Sequence, residues 1–256
     1  DNRQKITNLT KEQIVKICDR KFIGCDQLIL IKKNDASDAS LEFYNSDGGI
    51  SGACGNGTRC IADLLGKENN KKEITLTTLS GKLKSNIVGE KMVSTEIGVA
   101  KTKWDEIPLS KELNTNNLGI KINDKNNNEF SGGTAVNVGN PHVVFFVDNN
   151  ENFEIEKIGP KIETHSLFPE KCNVTLATIV NKELIKVRVW ERGAGLTKAC
   201  GTAACATAFA AKQNGLVNDK VDIEFSTGRL TISIDEKNSI HMKGPVSDIK
   251  DINFEI

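Results

Sequence analysis

The 256-residue chain has no surplus of charge of either sign, because 34 lysines and arginines balance 34 aspartates and glutamates. A surface for nucleic acid or for an anionic membrane needs a basic excess, so neither partner is expected. The longest apolar runs, such as residues 143–147, are far shorter than the roughly 20 residues that span a bilayer. Hydrophobic residues still make up 38% of the chain, enough for a core. We therefore expect a soluble, cytoplasmic protein.

Paired metal ligands are also missing from the sequence. No Cys-x-x-Cys pair occurs, and the only histidines are His142, His165 and His241. Structural zinc sites are built from such pairs, so we expect no metal. An odd number of cysteines in a chain of this length argues against a disulfide-stapled fold and predicts reduced thiols. The seven cysteines are Cys18, Cys25, Cys54, Cys60, Cys172, Cys200 and Cys205.

Short β-favouring runs dominate the sequence instead. They are broken by Gly, Asn, Asp or Ser, which is typical of strands joined by turns. Near the start, Thr10 and Gln13 form a capping box that predicts a helix from residue 11 onward. The asparagine-rich stretch 114–128 indicates a surface loop or linker. The predicted strands cover residues 28–31, 41–44, 74–79, 83–88, 92–99, 135–138, 142–147, 174–180, 184–190, 221–225, 230–234 and 240–242.

One pattern occurs twice along the chain. Ala-Cys-Gly surrounds Cys54 and again Cys200, which are 200 − 54 = 146 residues apart. Each copy follows a strand and a glycine-containing loop, and each precedes a helical pattern, over residues 54–66 and 200–215. The second helix is apolar almost all round, which is typical of a helix buried inside a sheet. We interpret the two segments as an internal duplication.

A cysteine in the first turn of a helix meets unpaired backbone N–H groups and the positive end of the helix dipole. Both favour the thiolate and lower the thiol pKa, and the same N–H groups can hold a carboxylate. Two such units could present two thiols to opposite faces of one molecule. Racemisation or epimerisation next to a carboxylate needs this arrangement, since a thiolate removes the α-proton and a thiol returns one. The alternative is a pair of buried structural cysteines.

Four ordered motifs also carry a resemblance to a known family. Residues 45–60 read Asn-Ser-Asp-Gly-Gly-Ile-Ser-Gly-Ala-Cys-Gly-Asn-Gly-Thr-Arg-Cys, and residues 190–203 read Trp-Glu-Arg-Gly-Ala-Gly-Leu-Thr-Lys-Ala-Cys-Gly-Thr-Ala. The other two motifs are Asp-Arg followed by Ile-Gly-Cys-Asp-Gln-Leu within residues 19–28, and Gly-Asn-Pro-His at 139–142. Over nearly its whole length the sequence resembles the diaminopimelate epimerases, PLP-independent enzymes of lysine and peptidoglycan precursor biosynthesis.

The resemblance implies an α/β (α+β) fold of two pseudo-symmetric domains, each a curved, mostly antiparallel sheet wrapped around a central helix. The first domain would span residues 1–118 and be completed by 247–256, and the second would span 119–246. The implied reaction interconverts LL-2,6- and meso-2,6-diaminopimelate, a small-molecule substrate, with no cofactor and no metal. A homodimer is left open.

The resemblance also implies roles for individual residues. Cys54 and Cys200 would be the catalytic acid/base pair, with His142 and Glu191 as auxiliary catalytic groups. Ordinary explanations exist as well, because His142 could be a strand-edge histidine, and Glu191 with Arg192 a surface ion pair. The other five cysteines are expected to pack rather than to act as nucleophiles. The implied substrate-binding residues are Gln27, Asn45, Gly55, Asn56, Asn140, Asn173, Glu191, Arg192, Gly201 and Thr202.

The sequence departs from the family pattern at its start and leaves two other functions open. The family opens with a strand and a Gly-Asn-Asp-Phe motif, and neither precedes Asp1. We therefore expect roughly 15–20 further residues upstream in the natural gene, about one strand and a loop. The first alternative function is a related two-cysteine proline racemase or hydroxyproline epimerase, although Arg192 and the asparagines favour a substrate with a second amino-acid end. The second is a non-enzymatic zinc- or thiol-binding module, which the cysteine spacing disfavours.

Overall fold

The computed structural model describes residues 1–4, 8–52 and 54–254, and its chain divides into two units. Unit 1 comprises Asp1–Glu96 with Gly244–Ile256, and unit 2 comprises Ile97–Lys243. Ile107 and Leu109 are buried in the core of unit 2. The division predicted after residue 118 therefore lies inside unit 2, because these apolar side chains pack with the strands that follow them.

Unit 1 is a sheet whose strands bury alternate residues against a helix. Its elements are α1 (Lys11–Cys18), β1 (Gln27–Lys32), β2 (Ala39–Asn45), β3 (Ile50–Ser51), α2 (Gly55–Asn69), β4 (Glu73–Thr78), β5 (Gly81–Gly89) and β6 (Met92–Val99). The strand order is β1-β2-β4-β5-β6, with β3 paired to β2. Ile74, Leu76 and Thr78 are the buried positions of β4, the period of two that a half-covered sheet shows. Ala62 and Leu65 of α2 cover that face.

Helix α2 is longer than the sequence predicts. It begins directly after Cys54 and ends at Asn69. The next residue, Asn70, caps the helix in a left-handed conformation, and its N–H bonds to the carbonyl of Gly66. The predicted end at Gly66 is wrong. A Cβ on Gly66 would lie 2.0 Å from the Cδ1 of Ile87 on β5, so this glycine allows the helix to approach the sheet closely.

Unit 2 wraps a longer sheet around a helix that is buried along most of its length. Its elements are β7 (Ile120–Asn123), β8 (Glu129–Gly132), β9 (Thr134–Asn137), β10 (Pro141–Phe146), a 3-10 turn (Asn150–Asn152), α3 (Ile155–Glu163), β11 (Asn173–Asn181), β12 (Leu184–Glu191), β13 (Gly195–Thr197), α4 (Gly201–Gln213), β14 (Lys220–Phe225), β15 (Gly228–Ile234) and β16 (Ser239–Pro245). The strand order is β16-β15-β14-β12-β11-β10-β9, with β13 paired to β12. Every residue of α4 from Ala203 to Ala211 is buried, as its all-round apolar pattern predicts.

The strand register confirms the internal duplication. Phe43 of β2 pairs with Ser51 of β3, and Val189 of β12 pairs with Thr197 of β13. Both members of the second pair lie 146 residues after their counterparts, since 189 − 43 = 146 and 197 − 51 = 146. The same offset separates the two cysteines of the repeated pattern. Each unit thus builds strand, short strand, cysteine and helix in the same order and register.

The stretch 114–128 is not a structureless linker. Ile120 and Ile122 are buried alternately in β7, which pairs with β8 in an antiparallel hairpin of unit 2. The sequence pattern does not predict this short strand, because it has only two apolar residues and lies within an asparagine-rich stretch. The sequence patterns above do not predict helix α3, although Ile155, Ile158 and Ile162 bury one helical face.

The remaining local predictions are confirmed. Thr10 and Gln13 form the capping box of α1, and a strand occurs at each of the twelve predicted runs within a few residues of its expected ends. The predicted fold class, α/β (α+β) with mostly antiparallel sheets, is confirmed by the pairings within each unit, of which only a few are parallel. Among the described residues, no helix is both long enough and apolar enough to cross a membrane.

Candidate active site

The two repeated cysteines occupy the same position in their helices. Cys54 is the N-cap residue of α2 and Cys200 is the N-cap residue of α4, as their spacing predicts. The Cys54 Sγ accepts a hydrogen bond of 3.3 Å from the N–H of Gly57. The Cys200 Sγ lies 3.4 Å from the Oγ1 of Thr202. Each helix start therefore holds a thiol beside backbone N–H groups that are suited to an anion.

The backbone N–H groups at each helix start favour the thiolate as expected, but burial outweighs them and the pKa values of both thiols are raised. Burial raises the pKa of Cys54, although the N–H of Gly57 and the positive charge of Arg59 act in the opposite direction. Burial, with the negative charge of Glu191 as the next cause, raises the pKa of Cys200 to about 12. Removing a thiolate from water costs more free energy than hydrogen bonds from one or two N–H groups regain. Both groups are therefore thiols near pH 7 in the ligand-free protein.

Arg59 lies beside Cys54 in the candidate site, and the residue patterns alone do not identify it. It is only 3% exposed, and its guanidinium donates to the carbonyl of Gly55 at 3.3 Å and to the Oδ1 of Asn56 at 2.9 Å. These bonds hold the first turn of α2, and the charge favours the thiolate of Cys54. A buried arginine requires such acceptors, and its presence inside the motif at 45–60 is the signal that could have identified it.

Gln27 and Asn45 lie opposite each other on β1 and β2. The Nε2 of Gln27 donates to the Oδ1 of Asn45 at 3.0 Å and reaches the Oγ of Ser51 on β3 at 3.4 Å. The N–H of Asn45 donates to the carbonyl of Gly49 at 2.8 Å, so Asn45 also begins a turn. Strand β3 leads into α2, so the contact of Gln27 with Ser51 connects the two amides to the segment that carries Cys54.

His142 lies inside the sheet of unit 2 rather than on an edge strand, because β10 has β9 on one side and β11 on the other. It is fully buried, and its Nε2 lies 2.8 Å from the Oδ1 of Asn140. Among the described residues its Nδ1 has no hydrogen-bond partner. Burial, with the positive charge of Arg192 as the second cause, lowers the pKa of His142 to about 3. The ring is neutral at pH 7 and offers one buried nitrogen to a ligand.

Asn173 ties three strand ends together. It lies beside His142 in the parallel pairing of β10 with β11. Its Nδ2 donates to the carbonyl of Pro141 at 3.0 Å, and its Oδ1 accepts a 3.0 Å bond from the backbone N–H of Arg192. A buried amide with both ends bonded is held in one orientation, so Asn173 fixes where the chain leaves β12.

Glu191 and Arg192 turn to different partners. The negative charge of Glu191 acts on the thiol of Cys200 and is, after burial, the next cause of the raised pKa of that group. The Nη1 of Arg192 donates to the carbonyl of Glu170 at 2.9 Å. Within the described part of the chain these two neighbours form no ion pair with each other, so the surface-pair explanation does not apply to them.

Each cysteine loop is tied to a hairpin of its own unit. Ser80, between β4 and β5, donates its Oγ to the carbonyl of Gly52 at 2.9 Å. Thr227, between β14 and β15, donates its Oγ1 to the carbonyl of Lys198 at 3.2 Å. Gly52 and Lys198 each lie two residues before the repeated cysteine. The patterns could not predict these hydroxyls, because each bond joins segments nearly thirty residues apart.

The predicted site residues fall into one group per unit. Cys60 and Cys205 lie inside α2 and α4, where Cys205 is fully buried, in keeping with packing. In residues 1–4, 8–52 and 54–254, no group of three His, Cys, Asp or Glu side chains could hold a metal ion. Unit 1 carries Gln27, Asn45, Cys54, Gly55 and Asn56, and unit 2 carries Asn140, His142, Asn173, Glu191, Arg192, Cys200, Gly201 and Thr202.

Solved structures share this fold at low sequence identity. A phenazine biosynthesis protein of the PhzF family from Bacillus anthracis has a TM-score of 0.64 and 15% identity, covering 96% of this chain and 90% of its own. A hydroxyproline epimerase from Agrobacterium vitis has a TM-score of 0.63 and 12% identity, covering 91% and 76%. A probable proline racemase from Agrobacterium radiobacter has a TM-score of 0.64 and 12% identity, covering 97% and 86%. At these identities the likeness concerns the fold alone.

Sequence relatives are far closer. A protein named diaminopimelate epimerase from Pelagibacter ubique is 68% identical over 256 residues, which cover 100% of this chain and 93% of the relative. Another of that name from Acidiphilium cryptum is 40% identical over 248 residues, covering 96% and 88%. The family model described as diaminopimelate epimerase matches residues 1–103 and 134–249. The chain belongs to the diaminopimelate epimerase family.

Proposed function

We propose that this chain interconverts LL-2,6- and meso-2,6-diaminopimelate, the epimerisation step of lysine and peptidoglycan precursor biosynthesis. The observation that carries the proposal is full-length identity of 68% to a protein named for that reaction. Two N-cap cysteines in equivalent register supply the chemistry, because inversion at a carbon needs a base on one face and an acid on the other.

Cys54 and Cys200 are the proposed acid/base pair. One sulfur, as thiolate, takes the α-proton, and the other, as thiol, gives its proton to the opposite face of the same carbon. Hydrogen-bond donors favour both thiolates, and Cys54 is the thiol that ionises first because the charge of Arg59 favours its anion while that of Glu191 disfavours the anion of Cys200. After each turnover the two sulfurs have exchanged protonation states, and the reverse reaction uses them in the opposite roles.

The first turns of α2 and α4 are the proposed site of the carboxylate next to the reacting carbon. The N–H groups of Gly55, Asn56, Gly201 and Thr202 begin these helices and lack partners of the i−4 type. When the α-proton leaves, negative charge spreads onto the carboxylate. Fixed N–H dipoles stabilise that charge without reorganising.

The amides and Arg192 are proposed to bind the rest of the substrate. Gln27, Asn45, Asn140 and Asn173 offer donors and acceptors for the distal amino-acid group. Arg192 can grip the distal carboxylate with two parallel bonds, for which its present bond to the carbonyl of Glu170 must be exchanged. Neutral His142 offers hydrogen bonds without adding charge beside the thiols.

The test follows the α-proton directly. LL-diaminopimelate is incubated with the protein in D2O, and 1H NMR is expected to show loss of the α-proton signal together with appearance of the meso isomer. L-Proline and trans-4-hydroxy-L-proline are run in parallel, because two of the solved structures with this fold carry the names of proline-type enzymes. Wash-in on either proline and not on diaminopimelate would overturn the proposal. A cytoplasmic location and a homodimer stay predictions.

A further inference from the structure

Cys18 and Cys25 form a close thiol pair in unit 1, away from the repeated cysteine pattern. Their Sγ atoms lie 3.4 Å apart. The sulfurs of a disulfide lie roughly 2.05 Å apart, so a bond requires an approach of only about 1.4 Å. Cys18 ends α1 and is 4% exposed, whereas Cys25 is half-buried in the loop ahead of β1.

The backbone brings the two cysteines together independently of their side chains. The N–H of Cys25 donates to the carbonyl of Cys18 at 3.3 Å, and the N–H of Gly24 donates to the carbonyl of Ile17 at 3.1 Å. Gly24 has a φ of +77°, which glycine adopts without strain. The loop therefore folds back onto the last turn of α1. Because the two backbones already lie side by side, rotation of the cysteine side chains supplies the approach that a disulfide needs.

We propose that Cys18 and Cys25 are a redox modification site that exchanges with a low-molecular-weight disulfide and forms a reversible intramolecular bond. The Cys25 thiolate attacks one sulfur of the small disulfide, and the other half leaves as a thiolate. The Cys18 thiol then loses its proton to solvent and attacks the sulfur of Cys25, which releases the second small thiol. Two protein thiols are oxidised and one small disulfide is reduced to two thiols, so no other oxidant enters.

The order in which Cys25 and Cys18 react follows from the exposure of each sulfur and from the pKa of Cys18. Cys25 is the more exposed sulfur and meets the reagent first. Burial raises the pKa of Cys18 to about 12, and hydrogen bonding and charge from Cys25 contribute to that rise. Once Cys25 is part of the mixed disulfide it has no thiol, so this contribution to the pKa of Cys18 disappears when Cys18 must react. The buried neighbour therefore acts as the resolving thiol.

The experiment maps the bond in the full chain. The protein is incubated with glutathione disulfide, free thiols are blocked with iodoacetamide, and the product is digested with trypsin. Trypsin cleaves after Arg20 and Lys21, between the two cysteines, so the bond links peptides 17–20 and 22–32. We expect this linked pair as the first product, a loss of two hydrogens from the intact mass, and a higher melting temperature that dithiothreitol reverses.

Two variants make the result specific to this pair. Cys25→Ser, at the more exposed position, is expected to lose both the linked peptides and the gain in melting temperature. Cys60→Ala keeps the pair, removes a different thiol of the same unit, and is expected to form the link as the unaltered protein does. A glutathione adduct that stays on Cys25, an earlier link elsewhere, or unreacted thiols would each overturn the proposal. None of these readouts depends on epimerase activity.

Discussion

The Cys54 Sγ accepts a 3.3 Å hydrogen bond from the backbone N–H of Gly57, three residues further along α2. At the same point of α4 the N–H of Ala203 acts on Cys200 in the same direction, but the negative charge of Glu191 raises the pKa of Cys200 whereas the positive charge of Arg59 opposes the rise at Cys54. The two repeats therefore give their sulfurs different electrostatic surroundings on the same local backbone. This asymmetry is what a pair with one ionised and one protonated thiol requires, and the predictions below depend on it.

Cys54→Ala and Cys200→Ala are each expected to abolish epimerisation, because inversion needs both an acid and a base. Turnover is followed by the meso to LL ratio, and circular dichroism checks that each variant folds. Cys60→Ala and Cys205→Ala are the matched controls, since they remove thiols of the same two helices. These controls are expected to keep turnover and to change mainly the melting temperature. Near-normal turnover in either of the first two variants would refute the acid/base pair.

Glu191→Gln is expected to make Cys200 react faster with iodoacetamide. The substitution removes a negative charge that raises the pKa of Cys200, so the thiolate fraction at pH 8 increases. A drop of one pKa unit corresponds to a roughly tenfold faster alkylation. Mass spectrometry of the peptide that carries Cys200 gives the rate, and Cys54 in the same sample is the internal reference.

Glu170→Gln is the control for this experiment, because it changes an exposed carboxylate and keeps the carbonyl that binds Arg192. The alkylation rate of Cys200 is expected to stay at its original value in this variant. Equal rates in Glu191→Gln and the unaltered protein would mean that Glu191 does not set the ionisation of Cys200.

The free energy of unfolding is expected to fall by about 2 kcal/mol between pH 7 and pH 5 through His142 alone. Its folded pKa is lowered to about 3 from an unfolded value of 6.5, so the unfolded chain binds the extra proton first. Stability is therefore present above pH 6.5 and is lost as the pH falls below it. Urea titrations at the two pH values give the difference, in a range above the titration of most carboxylates.

His142→Gln is expected to remove most of this pH dependence, because glutamine cannot take up the proton. His241→Gln is the control, since it removes a histidine from a partly exposed position on β16. The loss of about 2 kcal/mol should persist in the control. If the free energy of unfolding of His142→Gln still fell by the same amount between pH 7 and pH 5, the buried ring would not be the source of the pH dependence.

Gly57→Ala is expected to destabilise the protein by about 1–3 kcal/mol and to lower turnover. The new Cβ would lie 2.2 Å from the Cδ1 of Ile29 and 3.2 Å from the Sγ of Cys54. Ile29→Val removes the clashing methyl group, so the double variant should recover stability relative to the sum of the two single changes. Turnover should stay low in the double variant, because the contact with the Cys54 sulfur remains. If the two single substitutions lowered the free energy of unfolding additively, the clash between the new Cβ and the Cδ1 of Ile29 would be contradicted.

The sequence by itself determined the local parts of this protein. The repeated Ala-Cys-Gly pattern predicts both N-cap cysteines, and short β-favouring runs between turn residues predict twelve strands. These features depend on interactions within a few residues of the chain, which is why patterns reveal them. The family resemblance adds Asn173 and Arg192, and the structure joins them by a bond from the backbone N–H of Arg192 to the side chain of Asn173.

Only the tertiary structure decided the electrostatics of the site. The helix start favours a thiolate, yet burial by distant strands raises the pKa of both Cys54 and Cys200. Tertiary packing also decides strand β7. It has only two apolar residues, Ile120 and Ile122, and it forms because the core of unit 2 buries both. Burial is a property of the whole packed unit, and desolvation outweighs the local N–H donors that the sequence makes visible.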